Sequence, residues 1–226
     1  MREQYPRGAS FDVLLRLLPE HSLIGIRRKA ESLGLRRDPE LLLSGRVGYF
    51  DIESTGLKGN FDAMLCWFIK ERRRDRYDFD CVEPEDFRAR DKTRMDARVV
   101  STLAAALERY DVLVSYYGSG FDFPFSRTRA LKCGVPFPPY GSSRHVDLYY
   151  SARGRLSLHS KRLEVVSRFL GIPGKTPLDP DVWVGARLGD ARCLRYVRDH
   201  CRADVEVLEK VHERLSAFIS TPRTSI

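Results

Sequence analysis

The stretch Tyr49-Phe50-Asp51-Ile52-Glu53-Ser54-Thr55-Gly56 constrains this chain more than any other. Residues 47–53 read as a strand, and residues two apart on a strand share a face. Asp51 and Glu53 therefore project together while Phe50 and Ile52 point to the other side. On a polar edge strand such a pair would be solvated. Here the neighbours are apolar and a central strand is expected, where two like charges are costly unless a cation neutralises them. The pattern points to a strand end that holds metal.

The surrounding segments supply a sheet to hold that strand. After a turn at 56–60, residues 63–69 form a nearly continuous apolar run suited to a sheet interior. Residues 76–82 then alternate, with Tyr77, Phe79 and Cys81 on one face, which completes an antiparallel meander. Helices and strands alternate afterwards: helix 94–109, strand 112–117, helix 124–133 closed by Gly134, strand 145–149, and helices 160–170 and 191–218, with 171–177 as loop. Three antiparallel strands followed by this alternation describe an α/β fold, a mixed sheet flanked by helices. The first 40 residues read differently. Residues 11–18 form a short amphipathic helix stopped at Pro19, and a second helix, with Ser22 as its cap, carries Leu23, Ile26, Ala30 and Leu33 and ends at Gly34. Two short helices joined by a tight turn make a helix-turn-helix candidate over residues 1–40.

Two further acids stand out. Asp122 lies among Phe121, Phe123 and Phe125 just before Pro124, a proline placed to start a helix. Taken alone it is an acid at a helix N-terminus. In the last helix, at ~100° per residue, Asp204 falls inside the apolar stripe of Leu194, Val197, Cys201, Val205, Leu208 and Leu215, and His200 falls on its edge one turn earlier. An acid facing the core needs a partner, and an arginine of the same helix would be the structural solution. Together Asp51, Glu53, Asp122 and Asp204 form an oxygen-only set that suits hard cations, Mg²⁺ or Mn²⁺, and not zinc. Two such ions can hold a phosphodiester for in-line attack, with His200 as the base near the attacking water.

Charge agrees with such a substrate. Among 226 residues, Lys+Arg 39 against Asp+Glu 31 gives a net charge of +8, and the excess is almost all arginine, whose planar fork pairs well with phosphate. Nucleic acid is the leading partner class. The 5 cysteines are scattered without a Cys-x-x-Cys pair, so neither disulfides nor a zinc site are expected. No apolar stretch reaches the ~18 residues that span a bilayer, and the N-terminus lacks a signal-peptide layout. The expectation is a reduced, cytoplasmic setting with no membrane partner.

The set Asp51-x-Glu53, Phe121-Asp122 and His200-x-x-x-Asp204 resembles the three exonuclease motifs of the DEDD 3′–5′ exonuclease superfamily, which has a ribonuclease-H-like fold. Val114-Ser115-Tyr116, Gly118, Pro124, Val146-Asp147, Leu163 and Phe169-Leu170-Gly171 add to the likeness. It is nearest to bacterial and phage exonucleases related to the proofreading domains of family B polymerases. The resemblance implies a ribonuclease-H-like exonuclease domain over 46–220, two bound Mg²⁺ or Mn²⁺ ions, and a nucleic acid substrate, DNA with a 3′ end. A nucleic-acid-binding protein that keeps the fold without cutting is the alternative. The spacing of four before Asp204 is that of the tyrosine-type subgroup, with His200 where a tyrosine is usual, and Tyr117 stands where relatives carry an asparagine. Asp147 matches an acidic position of the relatives, for which a helper or structural role is expected. Tyr116, Tyr117 and Phe121 are the aromatics placed to stack on terminal bases. Residues 17–35 resemble the last two helices of Myb-like DNA-binding modules, which implies nucleic-acid contacts from Arg27, Arg28, Lys29, Arg36 and Arg37.

Overall fold

The structure is a computed structural model that describes residues 2–4, 11–33, 43, 45–174, 177, 179–219 and 223–224. The chain divides into two compact units, Met1–Ser44 and Gly45–Ile226. In the first, α1 (Phe11–Leu17) and α2 (Leu23–Ser32) are the described helices, with Leu14, Ile26 and Ala30 buried. Ser22 caps α2, accepting from the Gly25 backbone N–H at 3.1 Å.

The second unit is built on one mixed sheet in the order β3-β2-β1-β4-β5-β6. Its strands are β1 (Val47–Ser54), β2 (Met64–Glu71), β3 (Tyr77–Cys81), β4 (Val112–Ser115), β5 (Arg144–Asp147) and the two-residue β6 (Arg223–Thr224). β1, β2 and β3 form the antiparallel meander, whereas β1–β4 and β4–β5 pair in parallel and β6 returns antiparallel to β5. β1 is thus central, and β2, buried along its whole length, is apolar over residues 64–69, as suits a strand with helices on both faces. The helices are α3 (Ala97–Leu107), α4 (Asp122–Cys133), α5 (Leu148–Arg155), α6 (Leu163–Phe169), α7 (Pro180–Arg187) and α8 (Ala191–Leu215). Glu53 stands opposite Cys66 in the β1–β2 register, and Cys66 reaches the Val197 carbonyl of α8, so α8 covers the face that carries the two β1 acids. The opposite face holds Trp67, whose indole N–H donates to the Val99 carbonyl of α3 at 3.0 Å, and Phe50, which packs on Phe123 of α4. Among the described residues no helix is long and apolar enough to cross a membrane.

Several boundaries differ from the sequence reading, each for a local reason. The strand expected over 112–117 stops at Ser115, because Tyr117 takes a left-handed φ of 68° and turns the chain away. The strand expected over 145–149 stops at Asp147, whose carboxylate accepts from the Tyr149 N–H at 3.1 Å and starts α5. The helix expected from residue 94 begins at Ala97, after a 3₁₀ turn over Lys92–Arg94 capped by Asp91. Helix 160–170 is confined to Leu163–Phe169, helix 191–218 ends as α-helix at Leu215, and α7 was not foreseen.

Candidate metal centre

The centre begins where β1 outruns its parallel neighbour. β4 pairs with β1 over Val47–Tyr49 alone, so the later residues of β1 face the segment that leads into α4. There the Ile52 N–H donates to Asp122 Oδ1 at 3.2 Å in place of a strand partner. Asp122 opens α4 and is 4% exposed. Burial pushes its carboxyl up to about 7, with Asp147 adding to the rise, while the N–H groups of Ile52 and of its own helix end pull the other way.

The third element is α8, capped by Asp190, which accepts from the N–H groups of Arg192 and Cys193. Three contacts fix its register on the sheet. Glu209 pairs with Lys70, Glu206 accepts from the Tyr77 hydroxyl at 2.9 Å, and His212 Nδ1 meets the Tyr49 hydroxyl at 2.8 Å. In that register His200 and Asp204 both face inward, 2% and 7% exposed, and the Cys201 thiol lies 3.5 Å from Asp51 Oδ2. His200 Nε2 stands 3.7 Å from Glu53 Oε1 and 3.8 Å from Asp204 Oδ2, and the indole of Trp183, from α7, meets the imidazole edge-on at 5.1 Å. One ligand atom from each of Glu53, His200 and Asp204 lies within 4.8 Å of the others.

Asp51 is the electrostatic centre of the group. Its carboxyl is held well above the ordinary range first by burial, then by the charges of Asp122, Glu53 and Asp204 in that order. The four acids found in the sequence therefore meet in one place, carried by β1, α4 and α8, and the other three all repel a charge on buried Asp51. Such a donor set fits divalent cations, which would neutralise the carboxylates at once.

Beside Asp51 and Asp122 opens a cavity of about 380 Å³ lined by Leu57, Lys58, Tyr116, Tyr117 and Phe121. All three aromatics singled out in the sequence thus border it. Their roles differ: the Tyr116 hydroxyl is engaged by the Lys161 carbonyl at 2.6 Å, whereas Tyr117 is 44% exposed. The strained Tyr117 backbone is held by Asp147, which accepts from the N–H groups of Tyr117 and Ser119 and from the Ser119 hydroxyl at 2.8, 3.1 and 2.6 Å. Asp147 is therefore a clamp on the 117–119 loop. Past Tyr116 and Tyr117 the recess continues into a larger groove of about 1250 Å³ that includes Tyr149, Lys161 and Arg162. Sequence reasoning missed Trp183 and Lys58; Asp179-Pro180, a helix start, was the one signal for the element that carries Trp183. Arg28 and Lys29 are exposed on α2, while the Arg27 side chain and Arg36 and Arg37 lie outside the described residues.

The profile of the RNase_H superfamily matches residues 48–216. No curated protein sequence matches the chain. Solved structures similar to it include the family B DNA polymerase from the hyperthermophilic archaeon Pyrobaculum calidifontis, with a TM-score of 0.59 and 23% identity over 76% of this chain. The likeness spans 24% of that polymerase's length and is one of fold.

Proposed function

This chain belongs to the RNase_H superfamily, and on that premise we propose that it is a divalent-metal-dependent nuclease, a 3′–5′ exonuclease of the DEDD class acting on DNA. The observation that carries the reading is the convergence of Asp51, Glu53, Asp122 and Asp204, with Asp51 repelled by the other three. Two Mg²⁺ or Mn²⁺ ions bound there would supply a hydroxide nucleophile and neutralise the charge that develops on the phosphodiester. Asp51, Asp122, Glu53 and Asp204 would hold these ions, and Glu53 of β1 and Asp204 of α8 form a pair. His200 faces this pair through Nε2. The exposed ring of Tyr117, beside Tyr116 and Phe121, offers a stacking platform for a terminal base, and Lys58 a cation for its phosphate. Residues 46–220 form the nuclease domain, and the element over 1–40 adds affinity for DNA through Arg27, Arg28, Lys29, Arg36 and Arg37.

The test is incubation of 5′-labelled single-stranded DNA, duplex DNA and RNA with Mg²⁺ or Mn²⁺. A ladder that shortens one nucleotide at a time is expected on DNA. Internal cuts would overturn the exonuclease assignment, and intact strands under every condition would overturn the nuclease reading itself.

A further inference from the structure

Resting on that reading and deepening it, we propose that His200 is a metal ligand and not the proton acceptor for the attacking water. Its Nε2 joins Glu53 Oε1 and Asp204 Oδ2 in a mixed nitrogen and oxygen site, which selects a first-row transition dication over Mg²⁺.

Geometry comes first. Donor atoms ~2.0–2.2 Å from one ion stand roughly 3–3.6 Å from one another. The separations from Nε2, 3.7 and 3.8 Å, are a few tenths wider, and all three donor atoms lie within 4.8 Å of one another, so an inward turn of the side chains closes the set. Residues four apart on a helix lie ~40° apart around the axis and one turn apart along it, with both side chains leaning toward the N-terminus. His200 is therefore stacked over Asp204 on the same stripe of α8, the arrangement by which a helix presents two ligands to a single ion. Access points the same way. A base must reach outward to a water lying between metal and phosphodiester, but the His200 ring is 2% exposed and packed against Trp183. A ligand needs no such access, and a fixed ring serves it well. Donor chemistry then sets the preference: imidazole is a good ligand for borderline dications and a poor one for Mg²⁺, which favours oxygen throughout. Asp51 and Asp122 remain oxygen-only, so the two halves of the centre differ in the metal they prefer.

The probe is Mn²⁺ alone, added to the intact chain. Calorimetry counts the bound ions, and pulsed electron paramagnetic resonance reads their nitrogen coupling. The parent protein should show the ¹⁴N modulation of one directly bound imidazole. His200→Gln should lose that signal, and its preference for Mn²⁺ over Mg²⁺ should fall by at least the ~10-fold that loss of even an outer-shell partner costs. Mn²⁺ bound by the parent without ¹⁴N modulation overturns the assignment of His200 while leaving the nuclease reading intact, and this spectrum decides even if the variant does not fold. A parent protein that binds no Mn²⁺ at all overturns the metal-dependent reading, and this inference with it.

Discussion

One helix, α4, takes part in two buried ionic constructions that were solved in opposite ways. Two turns into the helix, Arg129 donates through Nε and an η nitrogen to Asp96 at 2.8 and 2.5 Å, and also to the carbonyls of Gly59 and Thr93. Asp96, fully buried, accepts in addition from the Met64 N–H at 2.7 Å, so the pair ties α3, α4 and β2 together with every charge answered from within. At its first residue the same helix delivers Asp122 to a cluster in which Asp122, Glu53 and Asp204 all repel a charge on Asp51. The first construction is complete as folded; the second, on the function proposed above, is completed by cations. Burial alone does not mark a functional carboxylate. The identity of what neutralises it does.

The largest way to break this contrast is Arg129→Met, which strands Asp96 in the core. We expect a loss of about 3–5 kcal/mol, the usual cost of an orphaned buried charge, read as a clear drop in the chemical-denaturation midpoint. Asp51→Asn should do the reverse: cleavage falls by ~100-fold, equivalent to about 3 kcal/mol of transition-state stabilisation. Its metal-free melting temperature should hold or rise, since one repelling charge is gone, and the stabilisation by Mn²⁺ should vanish. An Asp51→Asn protein that melts as early as Arg129→Met would erase the distinction.

pH sharpens it further. An acid whose folded pKa is raised holds its proton longer in the native state, so stability falls as pH rises from the ordinary value of 3.8 to about 7 for Asp122. Metal-free protein should lose on the order of a few kcal/mol across that window and keep the deficit above it, whereas added Mn²⁺ should help far more at pH 8 than at pH 5. A flat profile would mean that the cluster is already neutralised. The smallest effect is reserved for a change that touches neither construction. Arg28→Glu together with Lys29→Glu, both exposed on α2, should weaken duplex DNA binding several-fold and flatten its salt dependence by ~2 in slope, with cleavage of a short saturating oligonucleotide unchanged.

The sequence made one of these constructions visible and hid the other. Asp51 and Glu53 interrupt an apolar strand at a spacing of two, and Asp204 interrupts an apolar helical stripe, so period and polarity conflict at those positions and announce a purpose. Asp96 gives no such signal: it precedes a helix, where an acid is ordinary, and its partner lies 33 residues on. Distance in sequence hides the pairing. The helix α5 escaped notice because Leu148 and Ala152 are the main apolar side chains it buries, too few to set a period after a strand. The strand expected over 112–117 overruns at Tyr117, whose backbone is fixed by the Asp147 clamp, a contact that no local rule contains.

The short pairing of β1 with β4 carries a further consequence, for solubility. Beyond Tyr49 one side of β1 has no strand beside it, which makes the middle of the sheet behave locally as an edge. Exposed edges recruit strands from other molecules. Here the Asp122 carboxylate takes the Ile52 N–H and the start of α4 stands in the opening, so the acid also works as a gatekeeper against self-association. On that account Asp122→Ala should aggregate on mild heating sooner than Asp51→Ala, although both remove one carboxylate from the same cluster.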